Sequence, residues 1–139
     1  MTNTPMVRET ISTNSRSEMI DITKRVQHAV TDRKVTNGMV IVYVPHTTAA
    51  ATINENADPD VQHDLLEKLG KLVPQSEAFY EHGEGNSDAH VKAGCVGSSV
   101  TVIVEAGKLM LGRWQGVFLC EFDGPRERQV WIKPVGFEG

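Results

Sequence analysis

Cysteine is scarce in this sequence of 139 residues, which contains only Cys95 and Cys120. The two are not arranged as a CxxC pair, so they indicate neither a disulfide framework nor a thiolate zinc site. Because a free cysteine behaves as a small hydrophobic side chain, we expect both to be buried in the core.

Long apolar runs are missing as well. The longest strongly apolar stretch covers residues 39–45, well short of the roughly 18 residues that a membrane-spanning helix requires. The opening segment, MTNTPMVRETISTNSRSE, lacks the apolar core of a secretory signal. These two absences predict a cytoplasmic protein that has no membrane partner.

An excess of positive charge is also absent. Fourteen Lys and Arg residues face eighteen Asp and Glu residues, for a net charge of −4, which argues against a nucleic-acid partner. No glycine-rich phosphate loop with a lysine occurs either. The composition, 40% hydrophobic and 23% charged, is that of a folded chain, and the length predicts a single domain over residues 1–139.

The pattern of apolar residues predicts an α+β fold with a large, mainly antiparallel, sandwich-like sheet, two main helices and a short one. The helices are expected at 22–34, 58–73 and 88–92, and the strands at 39–44, 99–105, 109–111, 114–122 and 129–133, the last four as a meander. Segments 7–12 and 18–22 should pair as an opening hairpin. The apolar run 39–44 is typical of a central strand buried on both faces, after a left-handed turn at Asn37-Gly38. His28 and His63 lie off the apolar stripes of their helices and are expected on the surface.

Polar residues that could do chemistry occur in four segments, the first of which follows the strand at 39–44. There the chain presents His46, Thr47 and Thr48, followed only by small residues that leave space beside them. A histidine in this position either takes part in a site or simply closes the strand end with a hydrogen bond.

The second segment contains Asn54, Glu55 and Asp58 just before the helix at 58–73. Asp58 followed by Pro59 is typical of a helix start, because the aspartate can cap the helix and proline needs no N–H partner there. Capping does not require Asn54 or Glu55, so these two are the stronger candidates for a general base or a ligand contact.

The third segment places His82 and His90 on either side of a flexible glycine pair. Neutral imidazole is the most common protein ligand of zinc, and a loop that folds back at the glycines would bring the two rings together. With His46 as third ligand and a water as fourth, they would form an open site for a divalent metal, with zinc the first expectation. The pattern is not a standard metal motif, so histidines without a metal remain the alternative.

The fourth segment covers the last strands and contains Glu121 and the turn Asp123-Gly-Pro-Arg126. Arg126 or Arg128 could present paired donors to a phosphate or carboxylate. The alternative is a hairpin turn with surface ion pairs. Trp114 is expected in the core rather than at a ligand.

Taken together, these segments resemble the YjbQ-like family, some of whose members are named secondary thiamine-phosphate synthase. The resemblance is carried by three stretches in order, PHTTAAATINENADPDV, HGEGNSDAHVKAG and GKLMLGRWQGVFLCEFDGPRERQV. Several motifs of distinct composition in the right order make the match specific.

The resemblance implies a compact α+β fold, a homotrimer and a polar pocket whose signature histidines correspond to His46, His82 and His90. Other signature positions correspond to Asn54, Glu55, Asn86, Asp88, Gln115, Glu121 and Arg126. Arg113 departs from the family, which more often has a small residue there. The activity implied joins an aminopyrimidine diphosphate to a thiazole phosphate and releases pyrophosphate.

Two functional hypotheses follow. In the first, the protein is a metal-assisted enzyme for a small anionic metabolite. The three histidines hold the metal. Glu55 or Asp88 moves a proton, and Asn54 and Glu121 are further catalytic candidates. The anion is bound by polar side chains from the other segments: Thr47, Asn86, Gln115 and Arg126. In the second, the protein is a non-catalytic module of trimeric assembly that captures a metabolite or metal. A third, structural interpretation makes the polar clusters trimer-interface hydrogen bonds.

Overall fold

Eight strands and three helices make up residues 4–137, the part of the chain that the computed structural model describes. In chain order they are β1 (Val7–Ser12), β2 (Glu18–Asp21), α1 (Thr23–Asp32), β3 (Asn37–Tyr43), β4 (Ala49–Glu55), α2 (Pro59–Leu72), α3 (Ser87–Val96), β5 (Ser99–Glu105), β6 (Lys108–Leu109), β7 (Gln115–Glu121) and β8 (Glu127–Gly136). No helix within 4–137 is long and apolar enough to span a bilayer.

The strands form two sheets in which every described pairing is antiparallel, so the predicted α+β fold is confirmed. One sheet has the order β1-β8-β3-β5-β6 and the other β2-β7-β4. Between them lies the main core, which buries alternate residues of both sheets, such as Val42 and Leu119, together with Val26 and Val30 of α1. Alternation along each strand therefore sets the thickness of this layer.

A second apolar layer covers the other face of the three-stranded sheet. Phe118, Cys120 and Phe122 pack there against Ala89 and Ala93 of α3, with leucines of α2 at the side. The strand buried on both faces is therefore β7. This layer holds α3 against β4 and so brings the start of α3 to the loop that follows β3.

The expectation that 39–44 would be buried on both faces is wrong, although β3 is central in its sheet. Its residues alternate between buried and more accessible, because no element among residues 4–137 covers the outer face of the five-stranded sheet. Asn37 and Gly38 begin β3 rather than forming a turn. A Cβ at Gly38 would lie 1.9 Å from the Val135 carbonyl oxygen, so a close approach of β8 requires the glycine.

Two predicted strand pairings are also wrong. The first two strands do not form a hairpin, since β1 pairs with β8 and β2 with β7. The last strands do not form a meander, because β7 and β8 lie in different sheets. A period of two residues identifies a strand but not its partner. The chain between β1 and β2 is hydrogen-bonded to the turn before β8, where Thr13 N–H donates to the Arg126 carbonyl at 2.8 Å.

Strand β4 and the length of α3 were not predicted. β4 begins with three alanines, which favour strands weakly, yet Ala50 is fully buried beneath α3.

α3 runs to Val96 and leaves Cys95 exposed, so the prediction that both cysteines are buried is wrong for Cys95. Cys120 is buried, and burial raises the pKa of its thiol to about 12. Asp58 caps α2 as predicted, accepting from Asp60 N–H at 2.9 Å.

Candidate functional site

Three of the four predicted segments meet at one end of the two sheets. The loop after β3, the start of α3 and the turn between β7 and β8 border an open cavity of about 360 Å³. Of the predicted site residues, those that line it are His46, Thr47, Asn86, His90 and Arg126. The pairing of β4 with β7 produces this arrangement, because Ala49, which follows Thr48 of the first segment, lies opposite Glu121 of the fourth.

A buried ion pair forms the base of the cavity. The Arg128 guanidinium donates through Nε and Nη2 to both carboxylate oxygens of Glu121, and through Nη2 to Thr48 Oγ1 at 2.8 Å. Thr13 Oγ1 donates to Glu121 Oε1 at 2.8 Å. Burial raises the pKa of Glu121, but the bonds from Arg128, Thr13 and the Asp123 amide outweigh it and hold the pKa below its ordinary value. Glu121 is thus a fully buried, charged group that orients Arg128.

His46 lies in the cavity wall with its hydrogen bonding defined on one side. The backbone N–H of Gln129 donates to His46 Nε2 at 2.9 Å. A ring nitrogen that accepts a hydrogen bond cannot itself carry a proton, so this bond assigns the proton of the neutral ring to Nδ1. Burial and the nearby Arg128 charge lower the pKa of His46. At neutral pH His46 is therefore an uncharged ring with an N–H donor at Nδ1.

Asn86, Asp123 and Arg126 form a hydrogen-bonded chain along the opposite wall. Asn86 Nδ2 and Arg126 Nη2 both donate to Asp123 Oδ2, at 2.8 and 2.9 Å. Burial raises the pKa of Asp123, but these two donors outweigh it and lower the pKa overall. Exchanging the amide oxygen and nitrogen of Asn86 would set its oxygen against the carboxylate, so the orientation is defined. Asn86 Oδ1 is then a buried acceptor that has no donor among the described residues.

The three histidines do not form a metal site as they lie. Among residues 4–137, no three His, Cys, Asp or Glu side chains are placed to hold a metal ion. His82 and His90 do approach, with ring centroids 5.4 Å apart. However, His82 Nε2 lies 3.5 Å from Glu84 Oε2, and Nε2 of His46 is bonded to a backbone amide. A metal would fit only if at least two of these rings changed partners.

Asp88 lies inside the protein rather than in the cavity wall. Its carboxylate is fully buried and accepts from Lys92 Nζ at 2.7 Å and from both terminal nitrogens of Arg16 at 2.9 and 3.1 Å. Burial raises the pKa of Asp88, but these partners outweigh it and lower the pKa overall. This geometry suits an anchor between α3 and the chain before β2, and it does not suit a group that moves protons.

Asn54, Glu55 and Gln115 lie at the opposite end of the three-stranded sheet. Glu55 pairs with Gln115 and Ala49 pairs with Glu121, so six residues of strand, about 20 Å, separate the two ends. Arg113 is also at this far end, with its guanidinium 4.6 Å from the Trp114 ring centroid. Trp114 is 52% exposed, so its predicted core position is wrong. Within one chain, these residues do not join the cavity.

Four cavity residues, Thr48, Glu84, Asp123 and Arg128, were given no role in the predicted site. Thr48 and Arg128 were named as candidates in their segments, but the anion-binding role was given to Thr47 and Arg126. A signal for Arg128 exists, because it has the same strand phase as the buried Val130 and Ile132. An arginine on the buried face of a strand requires a carboxylate partner, and Glu121 is that partner.

Comparison with known proteins finds similarity along most of the chain. A family model described as UPF0047 protein YjbQ-like matches residues 8–137. A UPF0047 protein of Methanocaldococcus jannaschii is 52% identical over 126 residues, which cover 91% of this chain and 91% of that protein. The UPF0047 protein YugU of Bacillus subtilis is 50% identical over 126 residues, covering 91% of this chain and 96% of that protein.

Solved structures have the same fold. The crystal structure of an uncharacterized conserved protein of the YjbQ/UPF0047 family from Clostridium acetobutylicum matches with a TM-score of 0.91 at 50% identity, covering 93% of this chain and 99% of that one. A YbjQ-like protein of unknown function from Sulfolobus solfataricus matches with a TM-score of 0.92 at 32% identity, covering 97% and 99%. The whole described architecture is therefore shared with these proteins.

Proposed function

The chain belongs to the YjbQ-like UPF0047 family, and from this premise and the cavity geometry we propose that it is an enzyme acting on a small anionic metabolite. The observation that carries the proposal is the convergence of two histidines and two arginines on one cavity of about 360 Å³. Concave sites with a few converging polar groups are where small ligands bind.

The two arginines supply the recognition of the anion. Arg128 uses Nε and Nη2 for Glu121 and Thr48, and its Nη1 donates to no other described residue, which leaves that nitrogen for the cavity. Arg126 is oriented by Asp123 through Nε and Nη2. Guanidinium groups whose orientation is already defined bind phosphate or carboxylate with little further loss of entropy. Thr47 contributes a hydroxyl at the same wall.

Polarisation of the bound molecule is assigned to His46, and proton transfer to His90, the second imidazole on the same cavity. The neutral His46 ring donates a hydrogen bond through Nδ1 and so can polarise an oxygen of the bound molecule, but it cannot give up that proton without becoming an imidazolate. The Gln129 amide at Nε2 holds the ring in this orientation. Glu55 and Asp88 are not needed in this scheme.

Binding of inorganic phosphate and pyrophosphate, measured by titration calorimetry, tests the proposal. Arg126→Gln should weaken binding about tenfold or more, because a hydrogen bond to a charged group contributes roughly 1.5–3 kcal/mol. The Arg126 side chain is 54% exposed, so the fold should tolerate the change. Arg113→Gln, an exposed arginine at the far end, is the matched control and should bind like the wild type.

Wild-type protein that binds neither anion would show that the proposal is wrong. Equal affinities for the Arg126→Gln and Arg113→Gln variants would remove Arg126 from the site. Binding without consumption of any screened anionic metabolite would favour the non-catalytic module, which would use the same groups without turnover.

The reaction that the family resemblance implies is a more specific proposal. In that reaction Arg126 and Arg128 would face the departing pyrophosphate, since they are the cations that line the cavity. Thiamine phosphate that accumulates from the two precursors, and that is lost in the His46→Gln variant, would support it. A divalent metal, zinc first, stays a proposal that requires His46 and His82 to exchange their present partners.

The proposal extends to the homotrimer that the resemblance implies. The outer face of the five-stranded sheet exposes Tyr43 and Ile103, at 42% and 62%; Tyr43 lies beside Trp131 and Ile103 beside Met39. Apolar side chains grouped on an exposed sheet face are typical of a contact between subunits. We assign the trimer contact to this face.

A further inference from the structure

Glu84 is an acidic side chain on the wall of the cavity to which we assign anion binding. It belongs to the loop that joins α2 to α3. A carboxylate in this position does not help to bind an anion, because like charges repel. Its presence beside Arg126 and Arg128 is therefore informative about which anions the cavity accepts.

The Glu84 carboxylate does not hold the protein together. Its side chain is 73% exposed, and its Oε2 lies 3.5 Å from His82 Nε2, which is longer than an ordinary hydrogen bond. Among residues 4–137, no lysine or arginine forms an ion pair with it. The loop is held by other contacts, such as the bond from Gln75 Nε2 to the Gly85 carbonyl at 3.2 Å. Removing the charge of Glu84 should therefore leave the fold intact.

The two arginines of the cavity already have carboxylate partners. Arg128 is paired with Glu121, and Arg126 is paired with Asp123. The pKa of each of these two carboxyl groups is held below its ordinary value, so both pairs are electrically balanced at pH 7. The charge of Glu84 comes in addition to them. Two positive charges therefore face three negative ones at the cavity.

This balance determines how the cavity responds to the charge of a ligand. The paired guanidinium groups can still donate hydrogen bonds to one anionic group, because their orientation is fixed by their partners. Further negative charge on the ligand gains little from arginines that are already balanced, and Glu84 repels it. A space of about 360 Å³ is roughly 9 Å across, close to the Debye length at physiological salt. Glu84 therefore acts on an anion anywhere in the cavity.

We propose that Glu84 is a specificity-determining residue that limits the negative charge of the anions that the cavity accepts. The inference rests on the proposed function, because it presupposes the anion site at Arg126 and Arg128. It narrows the ligand to a metabolite with a single phosphate or carboxylate group. A diphosphate would bind well only together with a cation that balances its additional charge.

Titration calorimetry with inorganic phosphate and the more highly charged pyrophosphate, at low ionic strength and without divalent cations, tests the inference. Wild-type protein should bind pyrophosphate no more tightly than phosphate. Glu84→Gln should raise the ratio of pyrophosphate affinity to phosphate affinity about twofold to threefold, as Coulomb's law gives for one added charge about 7–9 Å away in water. Glu81→Gln is the matched control, because Glu81 is exposed in the same loop and does not line the cavity; it should leave the ratio unchanged.

The outcomes separate this inference from the proposed function. If wild-type protein binds the anions but prefers pyrophosphate, or if the ratio is the same in Glu84→Gln and Glu81→Gln, the role of Glu84 is overturned while the anion site stands. Weaker binding of both anions by Glu84→Gln would also overturn it, because Glu84 would then hold the ligand. Failure of wild-type protein to bind either anion would overturn the proposed function, and the inference with it. Added salt should reduce the effect of Glu84→Gln, because salt screens the repulsion.

Discussion

At the scale of single residues, His46 is the group whose chemistry the structure defines most closely. Its Nε2 accepts from the Gln129 amide, and its pKa is lowered by burial and by Arg128. Because burial and Arg128 disfavour the protonated ring, the surroundings of His46 favour the folded state most at pH values above the unfolded pKa near 6.5. That stabilisation is lost as the pH falls through the folded value.

We therefore predict a neutral Nδ1–H ring at pH 7 that titrates below about 6.5. Nitrogen-detected NMR of labelled protein can measure both, with His46→Gln to assign the signals. A ring protonated at Nε2 would contradict the hydrogen bond from the Gln129 backbone N–H, and a ring that titrates above about 6.5 would contradict the effect of burial and Arg128. Repeating the spectra with zinc tests the metal proposal, since zinc binding through Nε2 must displace the backbone N–H of Gln129.

Arg126 and Arg128 differ at the same scale, although both line the cavity. Arg128 is 4% exposed and bonded to the fully buried Glu121, so removing it would leave a carboxylate uncompensated and cost roughly 3–5 kcal/mol. Arg126 is more than half exposed. Loss of binding in an Arg128 variant would be confounded by unfolding, which is why Arg126 is the residue to substitute.

At the scale of elements, the buried ionic cluster of Asp88, Lys92 and Arg16 holds α3 in register with the rest of the cavity. α3 contributes His90 to the wall of the cavity, so the position of α3 helps to determine the shape of the cavity. The partners of Asp88 lower its pKa, which means that the cluster stabilises the fold above the unfolded aspartate pKa. This contribution disappears as the pH falls through the folded value.

Asp88→Asn should reduce the free energy of unfolding at pH 7 by roughly 3–5 kcal/mol, because Lys92 would be buried without its counter-charge. Asp32→Asn, which removes the more exposed pair with Arg33, is the control and should cost about 1 kcal/mol or less. Urea denaturation at a series of pH values measures both. The difference between wild type and Asp88→Asn should shrink on acidification; a difference that does not depend on pH would argue against the charged cluster.

At the scale of the whole molecule, the exposed outer face of the five-stranded sheet predicts self-association. Ile103→Glu should convert the proposed trimer to monomers, because it places a charge on an apolar contact face. Leu72→Glu on α2, where the leucine is 64% exposed, is the matched control and should stay trimeric. Sedimentation velocity measures the masses. A monomeric wild type, or an Ile103→Glu variant that remains trimeric, would show that this face is not the contact.

The comparison of sequence and structure also belongs at this scale. Strand positions followed from local alternation, and the start of α2 followed from Asp58 and Pro59, because these signals depend on near neighbours in the chain. The pairing of β1 with β8 and of β2 with β7 did not, because a strand pattern contains no record of its partner. β4 was missed because its alanines have little strand preference without α3 above them.

The sequence by itself determined the type of fold, the ends of most elements and the family, because periodicity, caps and motif order are all local properties of the chain. It also pointed to His46, Asn86, His90 and Arg126 as site residues. Only the tertiary structure decided that these four share a cavity while Asn54, Glu55 and Gln115 lie about 20 Å away along the sheet. It also decided that Glu121 and Asp88 are buried partners of cations. Distances between residues far apart in sequence, and the burial that sets which charges pair, arise only when the two sheets and α3 pack together.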